Sequence, residues 1–145
     1  MTRDDFERLA HFRYQLRRFL RFSEEATRRQ GITPLQYQLL LQIKGFPGRD
    51  WATVGELAER LQAKHHGTVS LVSRCEAAGL IRRSSSRDDR RQVQIRLTRK
   101  GARHLATLAQ LHHAEMRSLR AALAARPRRP AAASRTRAPQ SPGSR

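Results

Sequence analysis

The sequence predicts a mainly α-helical chain carrying a small β-wing: a winged helix-turn-helix unit flanked by two long helices. Three observations carry this. Thr53-Val-Gly-Glu-Leu-Ala-Glu-Arg-Leu61 and roughly His66 to Ala78 read as two helices with a short turn between them, the second closed by Gly79. Leu80-Ile-Arg-Arg83 and Gln92-Val-Gln-Ile-Arg-Leu97 alternate as a hairpin around a charged tip, Ser84–Arg91. On either side, residues 4–30 and 99–125 repeat apolar residues at three- and four-residue spacing.

Element by element, Leu9, Phe12, Leu16, Phe19, Leu20 and Ala26 give the first helix its stripe, and Gly31 ends it. Thr33-Pro34 starts the next helix, because Thr caps and Pro suits the first helical position. Its expected buried face is Leu35, Leu39, Leu40 and Ile43. After the turn Gly45-Phe-Pro-Gly48, Trp51-Ala52 is short enough to add a third strand to the hairpin. Thr53 and Glu56 match a capping box, with Leu57, Ala58 and Leu61 inward. In the helix after the turn, Val69, Val72 and Cys75 are expected to face the core, with His65 packed or capping. In the wing, Val93, Ile95 and Leu97 are expected inward. Thr98 caps the last helix, whose apolar side is Leu105, Leu108, Leu111, Leu119 and Leu123.

Thirty Lys+Arg against twelve Asp+Glu give a net charge of +18, which implies a polyanionic partner. Six of these charges are arginines in residues 126–145, so residues 1–125 alone carry +12. That last segment also holds four Pro and only small apolar residues, and is expected to be a disordered basic tail. The single Cys excludes an internal disulfide framework and fits a reducing compartment. The N-terminus lacks a signal-peptide pattern, and no apolar run reaches a membrane span, so a cytoplasmic, nucleoid-associated chain is expected. No phosphate loop, nucleophile motif or carboxylate pair points to catalysis, and no cofactor is expected.

A helix-turn-helix followed by a hairpin reads as a winged DNA binder, one helix for the major groove and the wing beside it. On the second helix, His66, Gly67, Ser70, Ser73, Arg74 and Ala77 share the outward side. That side is small, polar and free of acid, which allows close entry into the groove, with Arg74 as the long donor. At the tip, an Arg on a narrow turn suits the negative potential of a narrow minor groove, and a nearby Asp can fix its guanidinium. Long amphipathic helices on a small body need another surface to cover them, and a symmetric homodimer supplies one. The alternative reading of the charge is a sequence-tolerant architectural protein that compacts DNA.

His65-His-Gly-Thr-Val-Ser-Leu-Val-Ser-Arg-Cys-Glu-Ala-Ala-Gly-Leu-Ile81, Asp89-Arg-Arg91 and Leu97-Thr-Arg-Lys-Gly101 resemble the MarR family, over roughly residues 6–123. The resemblance implies a homodimeric repressor on a pseudo-palindromic operator in double-stranded DNA, released by a small phenolic or anionic effector. It also implies that the wing's Asp-x-Arg, here Asp89, Arg90 and Arg91, places Arg91 in the minor groove with Asp89 as its orienting partner. Ser73 stands where the family often has an acid, Cys75 where it usually has Leu, and the basic tail is outside the family pattern. Peroxide-sensing members carry a reactive Cys in the first helix, and this chain has none there. Arg13, Tyr14, Arg17 and Tyr37 are read as a solvated face rather than an effector pocket. His11, His104, His112 and His113 lack ligand spacing and are read as structural, so no metal site is expected.

Overall fold

A computed structural model of the chain describes residues 1–125; the expected basic tail, 126–145, lies outside the described residues. The elements run α1 (Arg3–Arg29), α2 (Pro34–Lys44), β1 (Trp51–Ala52), α3 (Val54–Leu61), α4 (His65–Ala77), β2 (Ile81–Ser85), β3 (Val93–Leu97) and α5 (Arg99–Ala124). Capping boxes start three helices: Thr2 with Asp5, Thr33 with Gln36, and Thr53 with Glu56. Each uses a side chain to satisfy N–H groups that the helix itself leaves open. Arg49 also engages the Glu56 carboxylate, and its guanidinium lies over the rings of Phe46 and Trp51.

The sheet is antiparallel in the order β1-β3-β2, so Trp51-Ala52 does add the third strand. Trp51 pairs with Arg96 and Ala52 with Ile95, while Ile81 pairs with Leu97 and Arg83 with Ile95. Ala52, Ile81 and Ile95 are buried, which defines the inner sheet face. Against it pack Leu39, Leu40 and Ile43 of α2, Leu57 of α3, Val72 and Cys75 of α4, and Leu108 of α5.

Four expectations need correction. Leu35 is 58% exposed, and Tyr37 takes its place in the core. Helical spacing marks a side of α2 but not how far along that side the body extends. In α4 the inward stripe is Thr68, Leu71, Val72 and Cys75, while Val69 is 37% exposed. The buried Thr68 hydroxyl donates to the Lys64 carbonyl at 3.1 Å, so a polar residue sits in the core without an unmet hydrogen bond. His65, in the first turn of α4, is exposed rather than packed. Val93 is 40% exposed because it pairs with Ser85 at the outer end of the hairpin, beyond the helices that cover Ile95.

α1 packs along α5, and one buried histidine ties both to α2. His112 Nδ1 lies 2.7 Å from the Leu108 carbonyl, which only accepts, so that nitrogen carries the proton. Its Nε2 meets the Ser23 hydroxyl at 2.7 Å, and its ring stacks on Tyr37 at 4.4 Å. Tyr37 therefore serves the core, apart from the outer face of α1 that carries Tyr14 and Arg17. Even so, Phe6, Leu9, Phe12 and Leu20 of α1 and Leu111, Met116 and Leu123 of α5 stay exposed. Among the described residues, no helix is long and apolar enough to cross a membrane.

Candidate nucleic-acid interface

The turn from α3 to α4 orients one helix face outward. His66, Gly67, Ser70, Ser73 and Arg74 are all exposed on it. Lys64 caps α4 without a side-chain hydrogen bond, so the first backbone N–H groups are open to an incoming anion. Gly67 has nothing within 4 Å of where a Cβ would stand, so the body of the chain does not require glycine there. A bare backbone on an exposed helix face gives room for a close external approach.

The only acid in α4 is Glu76, and it is engaged from the wing. Its carboxylate accepts from the Arg83 guanidinium at 3.1 Å and from the Arg83 backbone N–H at 3.2 Å. The same guanidinium donates to the Ser73 hydroxyl at 3.1 Å. Arg83 thus locks β2 onto the outward face of α4, a role the sequence reading missed. The signal was present: Arg83 follows Ile81 by two residues and so shares the sheet face that meets α4.

The far end of α4 is fixed by the start of α5. Thr98 donates its hydroxyl to the Gly79 carbonyl at 2.5 Å and its N–H to the Leu80 carbonyl at 3.0 Å. Lys100 Nζ donates to the Ala78 carbonyl at 2.9 Å. Gly79 turns the chain at φ +72°, a conformation glycine adopts without strain. Helix, wing and outer helix are therefore joined at one point.

In the wing tip, the Ser86 hydroxyl accepts from the Asp88 and Asp89 N–H groups at 3.3 and 3.4 Å. Asp89 Oδ1 accepts the Arg91 backbone N–H at 2.9 Å. The expected carboxylate–guanidinium pair is replaced by this backbone contact, since an Asp side chain reaches the N–H two residues on more readily than a long flexible fork. Asp89 shapes the turn, and Arg87, Arg90 and Arg91 project from it, all exposed.

Cys75 lies on the opposite side of α4 with no exposed surface. Burial pushes its thiol up to about 11, with the Arg74 charge pulling weakly the other way. A protonated, enclosed thiol is a poor nucleophile. Among the described residues no group of three or more His, Cys, Asp or Glu could hold a metal ion.

The sequence model of the MarR family matches residues 30–92, which span α2 to the wing tip. A protein of Thauera aromatica, named as a transcriptional regulatory protein for the hcr operon, is 32% identical over 98 residues, 68% of this chain and 57% of the relative. The chain belongs to the MarR family. A second relative of this MarR-family chain is the HTH-type transcriptional repressor MdtR of Bacillus subtilis (strain 168). It is 32% identical over 77 residues, 53% of this chain and 48% of the repressor. The chain thus spans about half the length of these curated relatives. Among solved structures, AbsC of Streptomyces coelicolor, a MarR family transcriptional regulator, superposes with a TM-score of 0.69 at 23% identity, covering 82% of this chain and 80% of its own. A MarR family protein from Bacillus stearothermophilus gives 0.67 at 26% identity, over 79% and 76%. A mutant of E. coli MarR complexed with operator DNA gives 0.62 at 22%, over 74% and 75%.

Proposed function

We propose that this chain is a sequence-specific, DNA-binding transcriptional regulator that works as a homodimer and represses its target. The observation that carries the reading is the exposed side of α4: its N-terminus is open, and its one acid, Glu76 near the C-terminal end, is paired with Arg83 of the wing. Such a face can enter a major groove, with Arg74 set to contact a base edge and His66, Gly67, Ser70 and Ser73 close to bases or phosphates. Arg90 and Arg91 on the wing tip reach the neighbouring minor groove, and Asp89 keeps their turn in shape. The curated relatives are named as a transcriptional regulatory protein and a repressor, and one solved neighbour is bound to operator DNA, which supports this reading.

Dimerisation follows from the apolar side chains that α1 and α5 leave exposed. Two copies would present two α4 helices to two half-sites of a pseudo-palindromic operator. Release by a small phenolic or anionic effector, a cytoplasmic location on the nucleoid and non-enzymatic action complete the proposal. Residues 1–125 form the working unit, with 126–145 as an added basic segment.

The experiment is selection of duplexes from a randomised pool at physiological salt, with sedimentation of the same protein at micromolar concentration. An inverted repeat should emerge, bound by a species of twice the 16.7 kDa chain mass. Enrichment of no sequence, with binding lost as salt rises, would favour the architectural reading that the +18 charge also suggests. A monomer would remove the half-site geometry.

A further inference from the structure

The outer face of the wing sheet carries a second cationic feature, separate from α4. Because Ile81, Arg83 and Ile95 face inward, Arg82, Arg96 and Trp51 face outward, and the register sets them side by side across all three strands. Arg82 and Arg96 are direct cross-strand partners. Like charges so placed repel and weaken a sheet. Lys44, in the last turn of α2, lines the same cleft, with Leu97 and Ala102 as its apolar walls. The cleft measures about 220 Å³.

One carboxylate serves the three cations. Asp50 accepts from Arg96 at 2.5 Å, and Arg96 also donates to Gln94 at 3.1 Å. Arg96 is thereby held in place, whereas neither Arg82 nor Lys44 has a side-chain hydrogen bond or ion pair among the described residues. The result is a concave site with an excess of two positive charges, one oriented guanidinium and two unengaged donors. Guanidinium forks match the spacing of oxygens on phosphate, and a multivalent oxyanion would replace the Arg82–Arg96 repulsion with two attractive contacts.

We infer that this cleft binds a small multivalent oxyanion of the phosphate or pyrophosphate class, on the sheet face turned away from α4. The inference stands apart from the DNA-reading proposal, since none of its residues lies on the α4 face or the wing tip. The cleft's volume, about 220 Å³, suits a small oxyanion.

The chain supplies its own reporter. Trp51 is its single tryptophan and pairs directly with Arg96. The test is a titration of the full chain with sodium pyrophosphate, following tryptophan emission and the melting transition, with sodium chloride at matched ionic strength as reference. A saturable change with a dissociation constant below about 1 mM is expected for pyrophosphate alone. Arg82→Gln and Lys44→Gln should each raise that constant about tenfold or more, while Arg74→Ala and Arg91→Ala leave it in place. Arg82→Gln relieves a like-charge pair, so this variant should melt no lower than the parent, which separates lost binding from lost fold. No saturation below about 10 mM would overturn the inference. So would binding by Arg82→Gln and Lys44→Gln as tight as the parent's, loss of binding in Arg74→Ala, or displacement of pyrophosphate by excess duplex DNA, which would make the cleft part of the DNA surface.

Discussion

Arg83 and Glu76 are joined twice: guanidinium to carboxylate at 3.1 Å, and backbone N–H to the second carboxylate oxygen at 3.2 Å. The pair spans the two parts that the proposed function needs in fixed relation, the reading helix and the wing. Its side chains remain 34% and 40% exposed, so its contribution to stability is modest.

Arg83→Ala and Glu76→Gln should therefore each cost no more than about 1 kcal/mol in a denaturant melt. Their effect on operator affinity should be larger than that stability loss, because a loosened wing can still fold but no longer holds its angle to α4. A double-mutant cycle on DNA binding should show the two changes to be strongly non-additive. Additive effects would mean that the pair does not align helix and wing.

Gly101 poses a sharper structural demand. A Cβ there would lie 2.0 Å from the Leu80 carbonyl oxygen, closer than any atom pair tolerates. In an open helix Gly→Ala is stabilising by about 1 kcal/mol. At this site the sign should reverse: Gly101→Ala is expected to cost about 3 kcal/mol or more, because backbone rather than a flexible side chain must move. Gly55→Ala is the control. Nothing lies within 4 Å of its Cβ position, so its melting transition should hold or rise.

The two groove contacts should separate by sequence. Arg74→Ala should cost on the order of 1–3 kcal/mol at specific sites and relax discrimination at one position per half-site. Arg91→Ala should weaken binding most where flanking A·T-rich DNA narrows the minor groove. Both residues are exposed, so neither change should move the melt. Titration against operators varied at central and flanking base pairs reads the difference. If both variants bound every duplex as the parent does, the proposed contact surface would be wrong.

Cys75 links burial to pH. Folding raises its thiol from 9.0 to about 11, so the folded state favours the protonated form. The resulting stabilisation is complete below about pH 9 and disappears as pH rises through about 11, on the order of 2–3 kcal/mol. Between those limits the parent should lose more stability than Cys75→Ala, measured by denaturant midpoints. At about pH 8 a thiol reagent should modify the native chain only as fast as it opens. Rapid labelling of folded protein would refute this placement and reopen a redox role.

The sequence by itself determined the order of elements, the caps at Thr33, Thr53 and Thr98, the third strand at Trp51-Ala52 and the outward placing of His66, Gly67, Ser70, Ser73 and Arg74. Those features follow from local chemistry: capping side chains, helical and strand periods, and glycine at turns act within a few residues. Tertiary structure alone decided that Thr68 and Leu71 replace Val69 in the core, and that Tyr37 stacks on His112 in place of a buried Leu35. It also placed Gly101 against Leu80, and brought Lys44, Asp50, Arg82 and Arg96 into one cleft. Periodicity says which side of an element is apolar. How far the body reaches along that side, and which distant side chain arrives opposite a given charge, depends on contacts between elements remote in sequence, and no local pattern encodes them.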